Sequence, residues 1–184
     1  YADDKDIVFQ SDDGSGGVTT YLTLDGSVGY TTVQKNIRFE DSVQLQIGTG
    51  GDAGFLHDGS NAVLFNSTGH FYIRNDADDS DVILQSDDGS GGRTAYITLD
   101  GSETRTNVHK DLQFTDSIKG KFGTSGDLEI YHDGSNTYIA NKGAGGDLYI
   151  SNDHEDKDII FQCDDGSGGL ATYLQLDGSS SMIY

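Results

Sequence analysis

The stretch "DKDIVFQSDDGSGGVTTYLTLDGS" (Asp4–Ser27) decides the reading of this chain, because it comes back. It returns as "DSDVILQSDDGSGGRTAYITLDGS" (Asp79–Ser102) and as "DKDIIFQCDDGSGGLATYLQLDGS" (Asp156–Ser179). The heptad at its centre starts at Ser11, Ser86 and Cys163, offsets of 75 and then 77 residues. Between these copies lies a second shared block. "VQKNIRFEDSVQLQIGTGGDAGFLHDGSN" (Val33–Asn61) matches "VHKDLQFTDSIKGKFGTSGDLEIYHDGSN" (Val108–Asn136). Self-similarity at a fixed period marks a repeat architecture.

The module is about 75 residues long, with a two-residue insertion near Gly143–Gly145 in the second copy. Residues 1–27 read as the end of a first module, 28–102 and 103–179 as two complete ones, and 180–184 as the start of a further one. The expectation is a segment of a longer array.

Within a module, short apolar stretches alternate with period two and are separated by Asp-Gly or Gly-rich punctuation. The first copy reads "DIVFQ", "TYLTL", "NIRF", "VQLQI", "GFLHD", "AVLF" and "FYIRN". Pairs such as Leu22/Leu24, Ile37/Phe39, Leu45/Ile47, Leu128/Ile130 and Leu148/Ile150 put two apolar side chains on one strand face. These pairs are expected to pack inward. Seven such stretches per module, and no sustained helical period, predict an all-β array of short strands. Eight Asp-Gly dipeptides fall between the stretches, where tight turns need positive φ. The heptad is then most simply a recurring turn. A phosphate loop would lead into a helix, whereas "VTTYLTL" after Gly17 is a strand.

Composition narrows the function. Leu, Ile, Val and Phe number 42 of 184 residues, which is thin material for a self-contained core. Net charge is −20, and 27 of the 31 acidic residues are Asp, a turn former. That charge repels nucleic-acid phosphates and anionic lipid, so neither nucleic acid nor membrane insertion is expected. The single cysteine, Cys163, stands where the other heptads have Ser and reads as a tolerated replacement, with no partner base for a catalytic thiol.

Candidate metal ligands are weighed in the same way. "NDADDSD" (Asn75–Asp81) and "NDHEDKD" (Asn152–Asp158) are rich in oxygen ligands but lack the Gly of an EF-hand bend. Incidental surface Ca²⁺ fits them better than a dedicated site. His57 and His132 recur in "HDGSN"; a transition-metal site would want a second His or carboxylate at fixed spacing, and the other three His are scattered, so a solvated or backbone-bonded His is the plainer reading. Acids shared by every module look like scaffold, whereas catalytic carboxylates would normally occur once. No catalytic, cofactor-binding or metal residue is assigned, and an enzyme is not expected. Tyr21, Tyr72, Tyr96, Tyr131, Tyr138, Tyr149 and Tyr173 sit in predicted strands. Exposed Tyr beside Asp and Asn could stack on sugars; cross-strand aromatic pairing is the plainer reading.

The stretch "FGTSGDLEIYHDGSNTYIANKGAGGDLYI" (Phe122–Ile150) resembles a repeat of tail-fibre-like and other virion structural proteins of marine bacteriophages. "IGTGGDAGFLHDGSN" (Ile47–Asn61) is a weaker copy, with Ala53, Gly54 and Phe55 where the second copy has Leu128, Glu129 and Ile130. The resemblance implies a fibrous, usually trimeric virion appendage without catalytic residues. The expectation is an all-β array as a β-solenoid, an intertwined trimeric β-prism or small sandwich-like modules, with the trimer favoured by the thin core, and a structural shaft or spacer. Its partners would be itself as a homotrimer and other virion proteins, with an extracellular, virion location. The alternative is an adhesin that binds host-surface glycan, and after it a polysaccharide-degrading spike.

Overall fold

The computed structural model describes residues 3–143 and 145–183. It is all-β, and among the described residues there is no helix. The chain divides into two units, Tyr1–Val82 and Ile83–Tyr184. The first unit contains β1 (Ile7–Asp12), β2 (Val18–Leu24), β3 (Thr31–Val33), β4 (Leu45–Ile47), β5 (Ala53–His57) and β6 (Ala62–Asn66). β7 (Val82–Asp87) starts at the boundary; β8 (Arg93–Asp100), β9 (Arg105–Val108), β10 (Gly120–Phe122), β11 (Leu128–His132) and β12 (Thr137–Asn141) follow. The second unit ends with β13 (Ile159–Asp164), β14 (Leu170–Asp177) and β15 (Met182–Ile183). The strands form five separate three-stranded sheets, β1-β2-β3, β4-β5-β6, β7-β8-β9, β10-β11-β12 and β13-β14-β15. Each module thus holds one meander built on the heptad and one built on "HDGSN".

The heptad is a turn closed on its own carboxylate. Asp13 Oδ1 accepts the Ser15 N–H at 2.8 Å, the Ser15 hydroxyl at 2.8 Å and the Gly17 N–H at 3.1 Å. Asp88 and Asp165 repeat the arrangement with Ser90/Gly92 and Ser167/Gly169. The Ser15 N–H holds the Asp13 carboxyl below its ordinary value, and the Ser90 and Ser167 hydroxyls do so for Asp88 and Asp165. The turn needs glycine: Gly14 and Gly16 have φ of 82° and 89°. Donors that could cradle a phosphate are spent on the chain's own Asp. The next turn is tied back to the preceding segment, since Gly26 donates its N–H to Asp6 Oδ1 at 3.1 Å and Gly178 to Asp158 Oδ1 at 3.0 Å.

β1 and β2 carry a bulge: Phe9 pairs with Leu22 and Gln10 with Thr20, leaving Tyr21 extra. β13 and β14 repeat it around Tyr173. One extra residue on one strand strengthens the local twist.

Three expectations change. "NIRF" (36–39) and "FYIRN" (71–75) are in no sheet, and neither is the Leu148/Ile150 pair. Their alternation is that of a strand, but a strand needs a neighbour, and among the described residues none pairs with them. Conversely, the short polar stretch Thr31–Val33 does form a strand, because Leu22↔Val33 and Leu24↔Thr31 register it against β2. The third concerns the interior. Among the described residues no apolar side chain is buried, and the Leu/Ile pairs that were to pack inward stay open, Leu24 at 39% and Ile130 at 43% exposure. Separate small meanders have only one layer, and one layer has no inside. The expected insertion near Gly143–Gly145 includes residue 144, outside the described residues.

Candidate functional site

The features that stand out are apolar faces left open at equivalent places. In the first unit, Ile37 and Phe39 lie alongside Leu45 of β4 and Phe55 of β5, enclosing a groove of about 490 Å³. In the second, Leu112 and Phe114 lie alongside Phe122 of β10 and Ile130 of β11, around a groove of about 540 Å³. Register puts Leu64 opposite Phe55 and Ile139 opposite Ile130, so the apolar face continues across the third strand. Such a face exceeds the singly scattered apolar residues of an ordinary surface.

Backbone is also left unused, both in the segments that line the grooves and in two others. Among the described residues, 36–39, 71–74, 111–114 and 148–151 make no backbone hydrogen bond. Each segment alternates: Phe71 and Ile73 flank Tyr72, and Leu148 and Ile150 flank Tyr149, with both tyrosines among the most exposed residues, at 77% and 84%.

Each groove is fixed at one end by the "HDGSN" turn. Asp58 Oδ1 accepts the N–H groups of Ser60 at 2.8 Å and Asn61 at 2.7 Å; Asp133 does the same with Ser135 and Asn136. The Asn61 and Asn136 N–H groups hold these carboxyls below their ordinary value. His57 Nδ1 lies 2.9 Å from Asp41 Oδ1 and 3.2 Å from the Gly59 N–H; His132 has the same two neighbours, Asp116 and Gly134. A protonated Nδ1 donates to the aspartate, and an unprotonated one accepts from the glycine. Ser42 donates its N–H to His57 O at 2.7 Å, so the histidine clips the segment after Phe39 to the end of β5.

The opposite sheet faces differ between the copies. In β4–β6, Gly54 is buried and its register partner is Phe65. A Cβ on Gly54 would stand 2.9 Å from the Phe65 ring and 2.7 Å from Leu45 O. In β10–β12 the same place holds Glu129, only 7% exposed, opposite Ala140. Lys119 Nζ lies 2.7 Å and Lys121 Nζ 3.5 Å from its carboxylate. Lys119 also sits 4.5 Å over the Tyr131 ring, which stacks on Tyr138 at 4.8 Å. The Lys119 hydrogen bond holds the Glu129 carboxyl below its ordinary value despite burial, and Glu129 in turn raises Lys119.

Sequence reasoning found the His/Asp turn residues and the Tyr pair but not the cluster around Glu129. The signal was there, since Gln44, Gln46 and Gly54 become Lys119, Lys121 and Glu129 together. The acidic stretches close on themselves: Asn75 and Asn152 each accept an N–H two residues on and donate to a carbonyl six residues on. Cys163 is exposed on β13. No family model, no curated protein and no solved structure matches the chain.

Proposed function

We propose that this chain is a non-catalytic shaft or spacer segment of a filament built from copies of itself, a homotrimer by the resemblance to virion fibre repeats. The observation that supports this reading is the missing interior. The chain alone exposes 15128 Å². A compact monomer of its 19.7 kDa would expose only about 8,600 Å². Obligate assemblies bury surface on that scale and bury it with apolar residues, and stacked repeats gain stability from their neighbours. The outward Asp turns would keep such a filament soluble. As a virion appendage it would act outside the host cell, beside other virion proteins.

Mass in solution together with small-angle scattering tests this. The expected result is an elongated homotrimer that survives dilution and added salt, since salt screens like charges. A folded monomer at high dilution overturns the reading.

A second reading draws on Tyr72 and Tyr149, the same side chain at matched places and open to solvent. Rings so displayed suit stacking on host-surface glycan, and glycan-array binding lost in Tyr72→Ala would favour an adhesin.

A further inference from the structure

We infer that the unpaired segments are half-made strands, and that a second copy of this chain completes them: its Phe71–Ile73 lies in the groove along Asn36–Phe39, and its Leu148–Ile150 in the groove along Asp111–Phe114. The inference rests on the filament reading above and names the surfaces that carry it.

Backbone, side chain and period point the same way. The Asn36–Phe39 and Asp111–Phe114 segments offer free N–H and C=O groups on one edge of an apolar floor. An occupant of such a site is an extended strand that takes up those groups and turns alternate apolar side chains to the floor. Phe71/Ile73 and Leu148/Ile150 have the two-residue alternation of a strand, lie in no sheet and are free of backbone partners. The intervening Tyr72 and Tyr149 would then face outward.

The repeat selects the partner. Two grooves recur in this chain at an offset of 75 residues, Ile37 to Leu112, and two matching segments recur at 77, Phe71 to Leu148. A foreign ligand would need the same period to fill both; another copy of the chain has it already. Exposed edges with apolar faces invite uncontrolled pairing unless they are covered, and a copy in fixed register covers them.

The test combines segment-resolved hydrogen exchange with cross-linking on the full chain, in a sample whose mass is measured. Two chains are made, both carrying Cys163→Ser, one with Phe55→Cys and the other with Ile73→Cys. Refolded together and oxidised, they should give the mixed disulfide dimer. Amides 36–39, 71–74, 111–114 and 148–151 of the parent should exchange at least tenfold more slowly than in the denatured chain. An assembly by mass whose amides in these segments exchange freely overturns the inference and leaves the filament reading standing. Protection without the mixed disulfide also overturns it, since another surface would then cover the segments. A folded monomer removes the filament reading itself, and the inference with it.

Discussion

The β4–β6 and β10–β12 meanders share strand order, register and turn, yet they fill one of their two faces by opposite means. In the first, a glycine makes room for an aromatic ring; in the second, a carboxylate is held by two lysines beside a stacked tyrosine pair. The other face is apolar in both, with Leu45, Phe55 and Leu64 in one and Phe122, Ile130 and Ile139 in the other. A sheet face that only has to satisfy its own residues can change chemistry as a set. A face that has to meet a repeating partner has to stay alike. On the filament proposal, the face that differs is the one the single chain fills for itself, and the face that stays alike is the one a partner copy would cover.

The largest expected effect lies on the common face. Phe55→Asp and Ile130→Asp should each dissociate the assembly, because a carboxylate moved into an apolar interface costs several kcal/mol per chain. Mass measured at matched concentration reads this, and an assembly untouched by either change would place that face outside the interface. Gly54→Glu comes next. It imports the carboxylate of one meander into the other without its lysines, against the Phe65 ring, and should destabilise β4–β6 by about 3 kcal/mol or more. Adding Gln44→Lys, Gln46→Lys and Phe65→Ala should recover most of the loss in thermal unfolding; no recovery would show that the two faces are not exchangeable sets.

A smaller effect depends on pH. Glu129 has a carboxyl pKa depressed in the folded chain by Lys119, below the ordinary 4.5. Its contribution is therefore complete above that ordinary value and is lost as pH falls through the folded one. The Asp58 and Asp133 turns weaken alike on acidification, so the excess acid lability of β10–β12 over β4–β6 belongs to Glu129. NMR signals of Ile130 should broaden before those of Phe55 as pH is lowered, and Glu129→Gln should abolish the acid-dependent part of that gap. Asp13→Asn should do least. The amide oxygen still accepts the Ser15 and Gly17 N–H groups, and the melting temperature should stay within error; a large drop would show that charge, not turn geometry, holds the heptad.

The turns were legible in the sequence because their chemistry is local: Asp, Gly and Ser within five residues supply acceptor, positive φ and donors. Strand alternation was legible too, which is why "NIRF" and "FYIRN" read as strands. What alternation cannot carry is the identity of the neighbouring strand, and here none pairs with these stretches among the described residues. β3 escaped notice for the converse reason. "TTV" has no apolar alternation, and its pairing comes from the turn at Asp25, whose carboxylate gathers Ser27 and Val28 and returns the chain onto β2. The Glu129 cluster needed register: Lys121 and Glu129 become opposite partners only once β10 is laid against β11.

The Asp-Gly turns have a consequence for chemical ageing. An Asp-Gly step in a loose chain converts to isoaspartate when the glycine nitrogen attacks the aspartate side-chain carbonyl and closes a succinimide ring. At seven of these steps that nitrogen is already donating its proton elsewhere: Gly14 to Asp12, Gly26 to Asp6, Gly59 to His57, Gly89 to Asp87, Gly134 to His132, Gly166 to Asp164 and Gly178 to Asp158. The aspartate carboxylate is meanwhile pinned by donors further along the turn. Both reactants are engaged in other hydrogen bonds, so the folded chain should accumulate isoaspartate far more slowly than the urea-unfolded chain at the same pH. A sequence whose composition marks it for rapid deterioration is, once folded, built to persist.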